Sequence, residues 1–183
     1  MSQTLNRKPN RHKPNRNVEN YDSDSYYSIE SLEKKYPDKF EVEYTTGILP
    51  KITLKEHEIL DVDKPLVVNT TFINNGLINF SGKYIDVGYE DGYSSLIQGK
   101  FINNGIIKYT FSDDDVENYD SGRLYINIGD GDNTGTFINT GQITALKLYI
   151  YMGQTDEAFQ LDQSYQTGED IFTNNGILDV DIL

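Results

Sequence analysis

Apolar positions along the chain follow two patterns. Over Ser28–Tyr36, the residues Ile29, Leu32 and Tyr36 recur at i, i+3 and i+7 and share one face of a helix. Glu30 stands four positions before Lys34, and Pro37 stops the run. A helix this short does not persist unaided, so it is expected to pack on the body or on a partner. Elsewhere the apolar residues form short runs of Ile, Leu, Val, Tyr and Phe, punctuated by Gly and Asn, which reads as strand and turn. Ile52-Thr53-Leu54 and Glu58-Ile59-Leu60-Asp61-Val62 are expected to open a strand-built body. Asp179-Val180-Asp181-Ile182-Leu183 reads as a further strand, and an exposed edge there would invite pairing with another chain.

Within the body one phrase recurs. Phe72-Ile73-Asn74-Asn75-Gly76-Leu77-Ile78 is followed by Phe101-Ile102-Asn103-Asn104-Gly105-Ile106-Ile107. Phe137-Ile138-Asn139-Thr140-Gly141-Gln142-Ile143 and Phe172-Thr173-Asn174-Asn175-Gly176-Ile177-Leu178 complete the set. The Phe-to-Phe spacings are 29, 36 and 35. A weaker element lies between the copies: Tyr84-Ile85-Asp86-Val87-Gly88, Tyr125-Ile126-Asn127-Ile128-Gly129 and Tyr149-Ile150-Tyr151-Met152-Gly153.

Two architectures fit this pattern. Asn-Gly between apolar runs is a strong hairpin signal, so each copy can be a β-hairpin in an antiparallel β-sandwich. Alternatively the copies stack as rungs of a right-handed parallel β-solenoid, Asn and Gly turning the corners through left-handed backbone conformations. A hairpin gives no reason for Phe two places before the first Asn and an aliphatic residue two places after Gly. Stacking does, because each position then packs against its own image one rung away. The expected fold is therefore all-β: a short parallel β-helix with an extended N-terminal arm and one short helix. Unequal spacings are absorbed as loops leaving one corner.

The stretch Leu66–Ile78 resembles the F-x-N-N-G-x-I repeats of parallel β-helix proteins, which are common in surface adhesins and in structural proteins of large DNA viruses and phages. The resemblance covers roughly 59–183. It implies a structural role, and it leaves the activity open because a fold carries no function by itself.

Composition narrows the chemistry. At 183 residues the chain fits one domain, in three regions: a basic arm (1–20), an acidic connector with the helix (21–44) and the β-solenoid domain (45–183). Arg7, Lys8, Arg11, Lys13 and Arg16 give residues 1–16 of the arm a charge of +5, while the whole chain is −13. With Pro9, Pro14 and almost no apolar residues, the arm cannot bury enough surface to order itself, and it reads as a tether for an acidic partner. No nucleic-acid partner is expected except through this arm. The chain has no Cys and only two His, His12 and His57, which leaves out disulfides, thiol catalysis and most histidine metal sites. No apolar run approaches the roughly 18 residues of a membrane span, and the N-terminus does not read as a secretory signal.

Asp130 and Asp132, within Gly129–Gly135, are spaced like the first half of a calcium loop, but position 141 is Gly where a bidentate acid is needed, so no metal is assigned. Asp113, Asp114, Asp115, Glu117 and Asp120 form an acidic stretch that would suit a neighbour's arm. No catalytic residue and no cofactor are expected. The acids fall mostly between the repeats, whereas β-helix glycosidases and lyases set paired carboxylates across a strand face.

The functional expectation is a non-enzymatic structural protein, a minor capsid or cement component of a large virion that touches capsid proteins or neighbouring copies. Its repeat columns, Phe72, Asn74, Asn75, Gly76, Phe101, Asn103, Asn104, Gly105, Phe137, Asn139, Gly141, Phe172, Asn174, Asn175 and Gly176, are expected to be structural. The alternative is a cell-surface adhesin or glycan-binding module using Tyr84, Tyr125 and Tyr149. A carbohydrate-active β-helix enzyme is the third class.

Overall fold

The computed structural model of the protein describes residues 25–88, 98–110, 122–130, 133–154 and 170–180. The described chain begins with a two-residue strand, β1 (Tyr27–Ser28), and a helix, α1 (Ile29–Lys35). Ser28 caps the helix: its Oγ accepts the Ser31 N–H at 3.1 Å. Ile29 and Leu32 are fully buried, in the same core as Phe72, so the amphipathic face packs on the body. That packing, rather than propensity, holds so short a helix. Ser28→Ala is expected to cost about 1 kcal/mol, read as a lower urea midpoint with an unchanged slope.

A 3-10 turn (Pro37–Lys39) leads into β2 (Phe40–Glu43), which runs antiparallel to β3 (Lys51–Leu54). From there the chain makes repeated three-strand circuits. The first is β3, β4 (Ile59–Val62) and β5 (Leu66–Val68). The second is β6 (Thr71–Asn74), β7 (Leu77–Phe80) and β8 (Tyr84–Val87). The third is β9 (Gln98–Asn103), β10 (Ile106–Tyr109) and β11 (Arg123–Asp130). The fourth is β12 (Thr134–Asn139), β13 (Gln142–Ala145) and β14 (Lys147–Gln154). Then follow β15 (Ile171–Asn174) and β16 (Ile177–Val180).

Each circuit gives one strand to each of three sheets, ordered β1-β5-β8-β11-β14, β2-β3-β6-β9-β12-β15 and β4-β7-β10-β13-β16. Every neighbouring pair is parallel except β2 with β3. The described fold is thus mostly β and mostly parallel. The strands on either side of Asn75-Gly76 belong to different sheets, so this segment is a corner and closes no hairpin. The same holds at the other three copies, which removes the antiparallel sandwich.

Register follows the repeat. Ile52, Phe72, Phe101, Phe137 and Phe172 are successive partners in one sheet. The Phe rings pack with centroids 4.9 Å (Phe72–Phe101, tilted), 5.0 Å (Phe101–Phe137, tilted) and 5.9 Å (Phe137–Phe172, stacked) apart. Leu60, Ile78, Ile107 and Ile143 line the adjoining sheet and are also buried. Each such side chain contributes about 1.5–3 kcal/mol on burial, and the column makes the core continuous from circuit to circuit. The uneven spacings arise between β8 and β9, β10 and β11, and β14 and β15, at two different corners rather than one.

Candidate functional site

The repeat places its polar residues in columns. Asn74, Asn103 and Asn139 point inward at one corner and are completely buried. The Asn74 Nδ2 donates to Asn103 Oδ1, Asn103 Nδ2 to Asn139 Oδ1, and Asn139 Nδ2 to Asn174 Oδ1, each at 2.7 Å. The second amide hydrogens reach the carbonyls of Ile106, Gln142 and Ile177 at 3.3, 3.2 and 3.4 Å. The Gly76 N–H donates to Asn74 Oδ1 at 3.1 Å. A carboxamide is the side chain that can accept from one side and donate to the other, so the column satisfies groups whose burial would otherwise be costly. The column starts beside Leu54, the register partner of Asn74, and runs to Asn174, which is exposed.

A second column lies outside the corner. Asn104 Nδ2 donates to Asn75 Oδ1 at 2.9 Å, and the Thr140 hydroxyl donates to Asn104 Oδ1 at 2.7 Å. Asn104 and Thr140 are exposed, so these bonds compete with water and contribute little.

The repeat glycines have a different reason from the expected one. Left-handed backbone occurs, among described residues, at Gly47, Gly88, Gly122, Gly129, His57 and Lys83, and at none of the repeat glycines or asparagines. A Cβ on Gly105, Gly141 or Gly176 would instead lie 2.1, 2.0 and 2.1 Å from the carbonyl oxygen of the preceding circuit's Gly76, Gly105 or Gly141. Gly76 faces the Glu58 carbonyl in the same way, at 2.4 Å. Close approach of backbone to backbone excludes every side chain there. The glycine ending the weaker element does need the left-handed region, with φ of +74° at Gly88 and +68° at Gly129.

Outside the first sheet stands a column of rings: Tyr84–Tyr125 (5.1 Å), Tyr125–Tyr149 (5.3 Å) and Tyr125–Tyr151 (6.1 Å), all stacked. The Lys83 ammonium lies over Tyr84 and Tyr125, and the Arg123 guanidinium over Tyr149. Tyr125 is only 3% exposed, so its ring faces other rings rather than solvent. Beside it Asn127 Nδ2 donates to the buried Asp86 carboxylate at 2.6 Å. Sequence reasoning passed over this pair, although both residues hold the third position of the weaker element. It also passed over Asp170, whose carboxylate accepts the Gly135 N–H at 3.0 Å.

Of the fifteen repeat residues singled out from the sequence, fourteen stand in these columns or in the Phe column, and Asn175 donates its backbone N–H to the Asn139 carbonyl. Arg7, Lys8, Arg11, Lys13 and Arg16 lie outside the described residues, as do Asp132 and the acids from 113 to 120. Asp130 ends β11, where its backbone partner in β14 is Gln154. Among the described residues no three His, Asp or Glu side chains are grouped to hold a metal, and no helix is long and apolar enough to cross a membrane. No protein-family model, curated protein or solved structure matches the chain. The functional reading therefore rests on this chain's own geometry.

Proposed function

We propose that the three sheets form a short parallel β-solenoid and that the protein is a non-enzymatic structural component of a large assembly. In its most concrete form it is a minor capsid or cement protein of a virion. The observation that carries this reading is the use made of the recurring side chains. The inner Asn, the Phe and the Gly of each repeat are engaged by their own images in a neighbouring circuit. Such a body acts through its shape, as a rigid spacer.

The basic arm, whose residues 1–16 carry +5 on a chain of −13, supplies the tether to an acidic neighbour. Deleting residues 1–20 is expected to abolish incorporation into particles while leaving the body folded by circular dichroism. Unchanged incorporation would remove the tether. Mass spectrometry of purified particles before and after a high-salt wash tests the location itself. A stoichiometric, salt-resistant signal supports cement, and recovery from a cell surface supports the adhesin.

A further inference from the structure

The two ends of the stacked sheets are finished differently. At the first circuit, β2 covers the edge of β3 in antiparallel register, and α1 buries Ile29 and Leu32 in the core. The Lys39 ammonium donates to the Ile59 carbonyl on the edge strand β4. A cationic side chain on an edge blocks further strand pairing. At the other end β15 and β16 each have one neighbour among the described residues. Leu178 is 38% exposed, where its equivalents Ile78, Ile107 and Ile143 are buried.

Among the described residues the hydrogen bonding stops in mid-series at this end. The carbonyls of Leu54, Asn74, Asn103 and Asn139 each accept the N–H of Asn75, Asn104, Thr140 and Asn175 from the following circuit, at 2.8–3.1 Å. The Asn174 carbonyl is next in that line. The carbonyls of Glu58, Gly76, Gly105 and Gly141 accept from Leu77, Ile106, Gln142 and Ile177 at 2.8–2.9 Å. Gly176 is next there, and the Asn174 Nδ2, with no further Asn to meet, turns back to the Gly176 carbonyl at 3.3 Å.

We infer that the β15–β16 edge is a template that receives one more circuit from a different protein chain, in parallel and in register. The occupant is specified by what continues each column: an apolar residue over Phe172, a carboxamide over Asn174 and glycine over Gly176, reading aromatic-x-Asn-x-Gly-x-aliphatic. A second copy of this chain does not supply it. Its first circuit is closed by β2, α1 and Lys39, and a tail-to-tail copy would run antiparallel, carrying its Asn174 to the wrong end of β15. The inference rests on the assembly reading only in that the protein works by contact with other chains, and the basic arm has no part in it.

The probe is a labelled peptide with the sequence of Thr134–Ala145, the two strands β12 and β13 that already pair with β15 and β16 from the other side. It is titrated into the full chain and into the chain lacking residues 1–20. Saturable one-to-one binding, equal for both chains, is expected. Replacing the peptide's Asn139 by Leu or its Gly141 by Val is expected to weaken binding at least about tenfold, the size of one lost buried hydrogen bond or more. Leu178→Lys in the protein is expected to do the same, with a melting temperature near that of the parent. Absence of binding overturns the inference, as does binding indifferent to the peptide substitutions. A protein that sediments as a dimer and excludes the peptide assigns the edge to a second copy and also overturns it. Binding that survives arm deletion while incorporation into particles fails separates this edge from the tether.

Discussion

Gly105→Ala is expected to abolish the folded state, although it adds one methyl group. The new Cβ would lie 2.1 Å from the Gly76 carbonyl oxygen and 2.9 Å from the Asn75 carbonyl carbon, both backbone atoms. Neither can withdraw by a change of rotamer. The Gly76 carbonyl is also fixed by the Ile106 N–H at 2.9 Å, so moving it breaks the pairing of the two circuits. Overpacking in cores that can adjust costs about 1–3 kcal/mol, and here the cost exceeds that range. Gly47→Ala is the control. Gly47 has φ of +77° and nothing within 4 Å of an added Cβ, so the change costs only the left-handed penalty of about 1–2 kcal/mol. Thermal melts followed by circular dichroism separate the two: no cooperative transition for Gly105→Ala, a modest fall for Gly47→Ala.

Asn103→Asp is the second large effect, and it depends on pH. The carboxamide of Asn103 donates to Asn139 Oδ1 and accepts from Asn74 Nδ2, both at 2.7 Å, with no exposed surface. An ionised carboxylate only accepts, so it would face the Asn139 oxygen with like partial charge and carry a full charge into the core. The expected loss at pH 7 is above ~5 kcal/mol, comparable with the whole stability of such a domain. The unfolded carboxyl titrates near 3.9, and burial without a counter-charge raises the folded value above it. The protonated form is therefore favoured by folding. Relative stability is greatest below about pH 4 and is lost as pH rises through the folded value. Asn103→Leu, which carries no charge, is expected to lose about 3 kcal/mol with no such pH dependence. Urea titrations at pH 4 and pH 7 on both variants test the sign.

What the sequence made legible follows from in-register stacking. Because Phe101 meets Phe72 and Phe137, and Asn103 meets Asn74 and Asn139, the demand on each position repeats along the chain and appears as a repeat of residue type. The helix was legible for the same reason on a smaller scale, since Ile29 and Leu32 answer one face. Other features left no unambiguous mark. A glycine in a repeat states that a Cβ is unwelcome, and it does not say whether φ or a neighbour's carbonyl excludes it. Gly88 and Gly105 carry the two reasons. Asp86 and Asn127 bond because a carboxylate and an amide are complementary, and complementary partners break the identity that a repeat search looks for. Asp132, the second acid of the calcium reading, and the basic arm fall outside the described residues.

The changing lengths of the corner connections have a further meaning. Phe72, Phe101, Phe137 and Phe172 remain direct register partners although 29, 36 and 35 residues separate them. Length along the sequence is thus uncoupled from length along the stack. The stack is graduated in strand spacings of about 4.8 Å, so the six strands from β2 to β15 measure about 24 Å whatever the connections carry. If the body is the proposed spacer, it is a gauge block whose thickness is set by a count of circuits. A gap between two surfaces could be matched by adding or removing one circuit, while decoration at the corners changes freely without altering the fit.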